Sequence, residues 1–125
     1  MALSEQDHER MQRILSKTKE LFLRDAHSRT DVLLTAIALW EQKEVRHQEL
    51  VDRVYAFAHS LKGLAYTVGC YEVHHLSEQI DSYSIQHSGA WTELSVNELM
   101  AQVHELLAEL EREWRKAGLV AEGTA

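Results

Sequence analysis

Proline is absent from the 125-residue chain, and glycine occurs only 5 times. That leaves little material for the many tight turns of a β-sandwich or barrel. A single cysteine, Cys70, excludes an internal disulfide framework and fits a reducing compartment. Basic residues are in the minority, 13 Lys and Arg against 20 Asp and Glu, for a net charge of -7. Nucleic acids and anionic membrane surfaces are normally met by clustered Lys and Arg, so neither is expected as a partner. No apolar run is long enough to span a bilayer, and Met1-Ala2-Leu3-Ser4-Glu5-Gln6-Asp7 does not read as a secretory signal. What is present is 45% hydrophobic and 26% charged residues, enough for one core in one domain. The expectation is a small, acidic, cytoplasmic and mostly helical domain.

Apolar positions recur at steps of four and three along most of the chain, the pattern of amphipathic helices. Five helices are expected, over about 4–16, 19–42, 46–68, 71–87 and 95–117. Ser4, with Asp7 three residues on, is the candidate cap of the first, whose inward residues are Met11 and Leu15. No glycine or proline occurs before Gly63, so the first breaks are poorly marked, and one is placed at Ser16 to Lys19. Leu21 and Phe22 continue the apolar positions of that first stretch; the second helix repeats Phe22, Ala26, Arg29, Leu33, Ala36 and Trp40, with Arg29 the single polar exception, and should end near Glu41 to Glu44. The third is the best defined: Leu50, Val54, Phe57, Leu61, Leu64 and Val68, closed by Gly69, which adopts the left-handed conformation at little cost. The fourth turns Val73, Leu76, Ile80 and Tyr83 inward, and the fifth starts at Ser95 with Glu98 as its capping-box partner. Four long amphipathic helices with short connections pack most simply as an all-α, up-down-up-down four-helix bundle. The additional N-terminal helix would lie across one end or side. Residues 1–117 form the domain, and Gly118 to Ala125, without periodicity, reads as a disordered tail or linker.

One residue on the third helix points the wrong way for a core role. With the Leu50-to-Val68 stripe as origin and roughly 100° per residue, His59 falls about 180° away, on the solvent face. Lys62 at i+3 and Gly63 at i+4 flank it, and Tyr55 and Tyr66 project from the same side. A glycine inside a helix costs about 1 kcal/mol relative to alanine. Its compensation here is the missing side chain, which opens space beside His59 for a large visitor. An exposed imidazole beside a cation and a cleared patch suits a nucleophile for a phosphoryl group.

The run Ala58-His59-Ser60-Leu61-Lys62-Gly63, with Gly69 six residues on, resembles the signature of histidine-containing phosphotransfer (HPt) domains of two-component phosphorelays. The resemblance covers about residues 20–110, including Phe22-Leu23-Arg24-Asp25-Ala26 and Val73, Leu76, Ile80 and Asp81, the last at a position where the family usually has Glu. It implies that His59 is phosphorylated, that Lys62 stabilises the phosphoryl group, and that Gly63 gives the partner access. Ala56 stands where many members carry Arg, and Arg53, a turn earlier, replaces that charge poorly. The implied role is a relay intermediate, receiving its phosphoryl group from a receiver-domain aspartate or a histidine kinase and passing it to another receiver aspartate. No glycine-rich nucleotide loop is present, so autonomous kinase activity is not expected. The chain is expected to be a monomeric phosphocarrier with no cofactor or metal of its own, Mg²⁺ belonging to the partner receiver. The flank around Val51 and Ala58 is expected to extend the docking surface.

Other readings compete. Glu44-x-x-His47 and Glu72-x-x-His75 have the Glu-x-x-His spacing of di-iron bundles, whose ligands must face inward. His75 lies about 200° from Val73 and points outward, so His74 and His75 read as solvated surface, and Glu44 falls at or before a helix start. Trp40 and Trp114 fall on apolar stripes and read as core, while Trp91 reads as a lid over one end. Cys70 sits at a helix start, where a thiol pKa can fall, yet it has no catalytic partner and reads as filler. The rival in a different class is an interaction module of the same fold that binds a receiver or kinase without taking phosphate.

Overall fold

In a computed structural model, which describes residues 4–120, the chain forms four α-helices: α1 (Glu5–Glu41), α2 (His47–Thr67), α3 (Tyr71–Gln86) and α4 (Glu93–Lys116). No strand occurs among the described residues. Short connections run each helix back along its predecessor, and one continuous core forms between them. Its fully enclosed members include Leu23 from α1, Leu50, Val54 and Leu61 from α2, Val73 and Ile80 from α3, and Leu99 and Leu106 from α4.

The additional N-terminal helix does not exist as a separate element. Ser16 to Lys19 are helical, and the two helices expected over 4–16 and 19–42 are one 37-residue α1. A polar run alone does not end a helix, and Thr18 donates its hydroxyl to the Ile14 carbonyl without interrupting the turn. Ser4 does cap α1, accepting from the Asp7 amide at 3.1 Å. Met11, Leu15 and Leu21, expected to face inward, are exposed: Met11 and Leu15 because residues 5–17 project past the end of the bundle, and Leu21 because the neighbouring Phe22 and Leu23 take the core-facing side of the helix.

The helix ends show how local chemistry fixes the boundaries. Lys43, just after α1, takes φ 62°, a left-handed conformation costing a non-glycine residue roughly 1–2 kcal/mol. Gly69, after α2, takes φ 83° as its position predicts, and the Cys70 amide closes back on the Ala65 carbonyl at 2.8 Å. α4 begins two residues before the expected Ser95. Thr92 is its N-cap, and Ser95 is the N3 partner that completes the capping box, the place assigned to Glu98. Glu98 instead accepts from the Tyr83 hydroxyl at 2.5 Å, and Tyr83 is only half-buried. Beyond α4, Gly118 is left-handed, the Leu119 amide donates to the Trp114 carbonyl, and Leu119 packs on the core. Arg24 donates to the Val120 carbonyl at 3.1 Å, so 118–120 are held rather than frayed; the rest of the expected tail lies outside the described residues.

Candidate functional site

The apolar stripe of α2 forces His59 outward. With Leu50, Val54, Phe57 and Leu61 buried, the opposite face must meet solvent, and the His59 side chain is 57% exposed. Gly63, one turn further, has nothing within 4 Å of the place a Cβ would occupy. Its helical conformation needs no glycine, so what the missing side chain provides is open space beside the imidazole.

α3 supplies a carboxylate, Asp81, whose partners the sequence did not show. Its buried face runs Val73, Leu76, Ser77, Ile80, Asp81 and Ser84, and the small Ser77 and Ser84 together with Ala58 and Ala65 of α2 let side chains reach between the helices. Asp81 is 5% exposed and accepts two hydrogen bonds from α2: from His59 Nδ1 at 3.2 Å and from Lys62 Nζ at 2.6 Å. Burial alone would raise the Asp81 carboxyl. The hydrogen bonds and charges of Lys62 and His59 outweigh it, holding the group below the usual carboxylate range. Conversely, the Asp81 hydrogen bond raises Lys62 above the usual lysine value. At neutral pH the pair is therefore an ammonium and a carboxylate.

This geometry distinguishes the two ring nitrogens. Nδ1 donates to a buried carboxylate, which fixes the tautomer and directs the Nε2 lone pair away from Asp81. Tyr55 stacks one turn earlier, ring centroids 5.4 Å apart and planes 20° from parallel, which further restrains the ring. An outward Nε2, a carboxylate behind the ring and an open glycine beside it form a nucleophile able to accept an electrophile from solvent.

His59, Lys62 and Gly63 are thus brought together as expected, with one difference for Lys62. Its ammonium is held by Asp81 rather than extended into the space over His59. An ammonium carries three donors, and Asp81 takes one. Of the expected apolar flank, Ala58 is fully buried and presents nothing to a partner. Val51 is also buried but lines a groove of about 270 Å³ that runs beside Tyr55, with Ile85 and Trp91 on its far side. Arg53 pairs loosely with Glu49 at 3.9 Å, so nothing replaces the basic residue absent at Ala56.

The remaining candidates have structural roles. His74 is half-buried, not solvated: its Nδ1 donates to the Lys62 carbonyl at 2.6 Å, while Nε2 faces Glu78 at 3.2 Å. It pins the segment of α2 that bears Lys62 and Gly63. His75 is exposed against Gln79, and His47 accepts from the Trp40 indole at 2.9 Å. Among the described residues no three or more His, Cys, Asp or Glu side chains gather as a metal site would require. Trp114 is core, stacked on His27, and Trp91 packs with Tyr83 and His87 at one end of the bundle. Cys70 is buried, and desolvation with the neighbouring Glu113 pushes its thiol up to about 11, which makes it unreactive.

The structure is thus a helical bundle that presents an exposed imidazole, His59, backed by the buried carboxylate of Asp81. Against models of known families, residues 17–113 match the Hpt domain, and the chain belongs to that family. Comparison with curated proteins and with solved structures returns no significant match. Hpt domains serve phosphotransfer in two-component signalling, where they are phosphocarriers rather than kinases and meet receiver and kinase components. No helix among the described residues is long and apolar enough to cross a membrane.

Proposed function

We propose that the protein is a cytoplasmic phosphorelay intermediate that carries a phosphoryl group on Nε2 of His59. The observation that carries this reading is the Asp81 bridge, which takes up Nδ1 and leaves Nε2 outward on an exposed imidazole. A receiver domain docks over the face around His59, with Gly63 permitting close approach and the Tyr55 groove receiving part of its surface. The Nε2 lone pair attacks the phosphorus of the receiver's acyl phosphate in line. The N–P bond forms as the P–O bond to the receiver aspartate breaks, and that carboxylate leaves with the bonding electrons. The Nδ1 proton stays in place, so the ring gains positive charge, which the ionised Asp81 offsets. Lys62 keeps Asp81 ionised and sets its cation one helical turn from the transferring group. The Mg²⁺ that such transfer uses is assigned to the receiver's acidic pocket. Reversal of these steps passes the group to a second receiver aspartate, and a histidine kinase is the alternative donor.

The test is transfer of radiolabel from a panel of phosphorylated receivers and histidine kinases to the wild type and to His59→Gln. The expected result is acid-labile, base-stable label on the wild type and none on the variant. Binding of a receiver without label from any donor would contradict the carrier reading and leave the docking-only module.

A further inference from the structure

Lys62 is held by α3 at both ends. At its root, the backbone carbonyl accepts from Nδ1 of His74 at 2.6 Å. At its head, the ammonium donates to Asp81 at 2.6 Å. His74 and Asp81 stand at i and i+7, two helical turns and about 10 Å apart, on the side of α3 that faces α2. The two helices run antiparallel, and a helical side chain leans toward the N-terminus of its own helix. The lysine stem therefore points back along α2 toward His59, while α3 accompanies it from His74 to Asp81. A carbonyl oxygen has two lone pairs, so Lys62 can accept from His74 and still serve the α2 ladder. The residue that follows is Gly63, where the backbone has the most freedom to lose and α2 is least stiffened by its own chemistry. The His74 ring is itself restrained: Nε2 meets Glu78 at 3.2 Å, and Tyr66 of α2 packs edge-on with ring centroids 5.2 Å apart. A leucine would fill the same space; what histidine adds is a directed N–H.

We propose that His74 is a positioning residue for phosphotransfer. By gripping the Lys62 carbonyl it fixes the line along which the ammonium reaches Asp81, and through that ion pair it sets the His59 ring. The inference rests on the carrier reading of His59 and adds a residue to it. His74 acts through Lys62, not on His59 itself. With the root of Lys62 released, α2 is free to shift at Gly63 and the ammonium leaves its place on Asp81. The carboxylate that orients Nδ1 of His59 then loses its stronger partner.

Two variants separate the hydrogen bond from the packing. His74→Leu keeps the volume and removes the donor, whereas His74→Asn places an amide N–H where Nδ1 stands. Transfer to the full chain from the receiver that labels the wild type best is followed by rapid quench over a range of receiver concentrations. His74→Leu is expected to lower the saturating rate by about tenfold, as loss of an outer partner does elsewhere, with the half-saturating receiver concentration unchanged. His74→Asn should restore most of the rate. In a Lys62→Met background the leucine substitution should cost nothing further, because the path it acts through is already cut. Wild-type transfer by a folded His74→Leu protein, equal loss in the leucine and asparagine variants, or the full loss repeated in the Lys62→Met background would overturn the proposal. Nitrogen-15 NMR of the Lys62 ammonium reads the brace without any transfer: protons in slow exchange with solvent in the wild type, and in fast exchange in His74→Leu. A wild type that takes label from no donor contradicts the carrier reading, whereas an ammonium signal unchanged by His74→Leu overturns the brace. His74→Ala gives the same two readouts if the leucine variant does not fold.

Discussion

The two faces of α2 are built from one 21-residue helix and obey different rules. On the inward face Leu50, Val54 and Leu61 are enclosed, and each is replaceable only at the expense of packing. On the outward face His59 and Gly63 touch little within the chain beyond Asp81 and Tyr55, and Gly63 sits against helix propensity in open space. Residues chosen against local stability, on a surface that does not need them, mark the place where something outside the chain must fit. Asp81 joins the two faces: it is as buried as the core, yet it serves the solvent side.

That contrast predicts that stability and phosphotransfer separate by face. The largest effect falls on His59→Gln, expected to remove all label while moving the thermal midpoint by only a few degrees, the cost of one hydrogen bond to Asp81. Leu50→Ala should do the reverse, with stability falling by about 2–5 kcal/mol in denaturant titration and transfer by the remaining folded protein preserved. Asp81→Asn should affect both. Loss of the group that orients the imidazole is expected to slow transfer by about 10–100-fold in rapid-quench measurements.

The same variant also changes the pH dependence of stability. Asp81 has a lowered value in the fold, so its contribution is present above the ordinary carboxylate range and is lost as pH falls through the folded value. Lys62 has a raised value, so its contribution is present below the ordinary lysine value of 10.5 and is lost as pH climbs past the folded one. Asp81→Asn should therefore flatten both the acid and the alkaline limbs of a stability–pH curve. An effect on the fold of opposite sign belongs to Gly63→Ala. It should raise stability by about 1 kcal/mol while slowing transfer from the receiver, because the added methyl meets only the partner. If transfer were unchanged, Gly63 would have no access role.

Much of this was legible in sequence, for reasons that differ by residue. Gly69 and Ser4 were legible because their roles are local: a left-handed residue after an apolar run, and an oxygen acceptor three residues before an amide. His59, Lys62 and Gly63 were legible because helical geometry alone places them on one face. The continuity of α1 was not, since the apolar stripe on its projection looks like core and the polar run after it looks like a loop. Its true end was hidden because Lys43, not a glycine, takes the left-handed turn. The Thr92 cap was missed because Ser95 fits two roles, N-cap to Glu98 or N3 partner to Thr92, and only the backbone chooses. In the sequence Asp81 stood out only through the family resemblance, at a position where Glu is usual. Which cations it meets depends on the register of α3 against α2, a long-range property that the spacing within either helix does not encode.

The central claim is that Asp81 claims one nitrogen of His59 and leaves the other for the phosphoryl group. Nitrogen-15 and phosphorus NMR of the phosphorylated, isotope-labelled chain reads this directly. A phosphoryl group on Nε2 of His59, with Nδ1 still protonated, is the expected result. Phosphorylation at Nδ1, or on another of the 8 histidines, would contradict it.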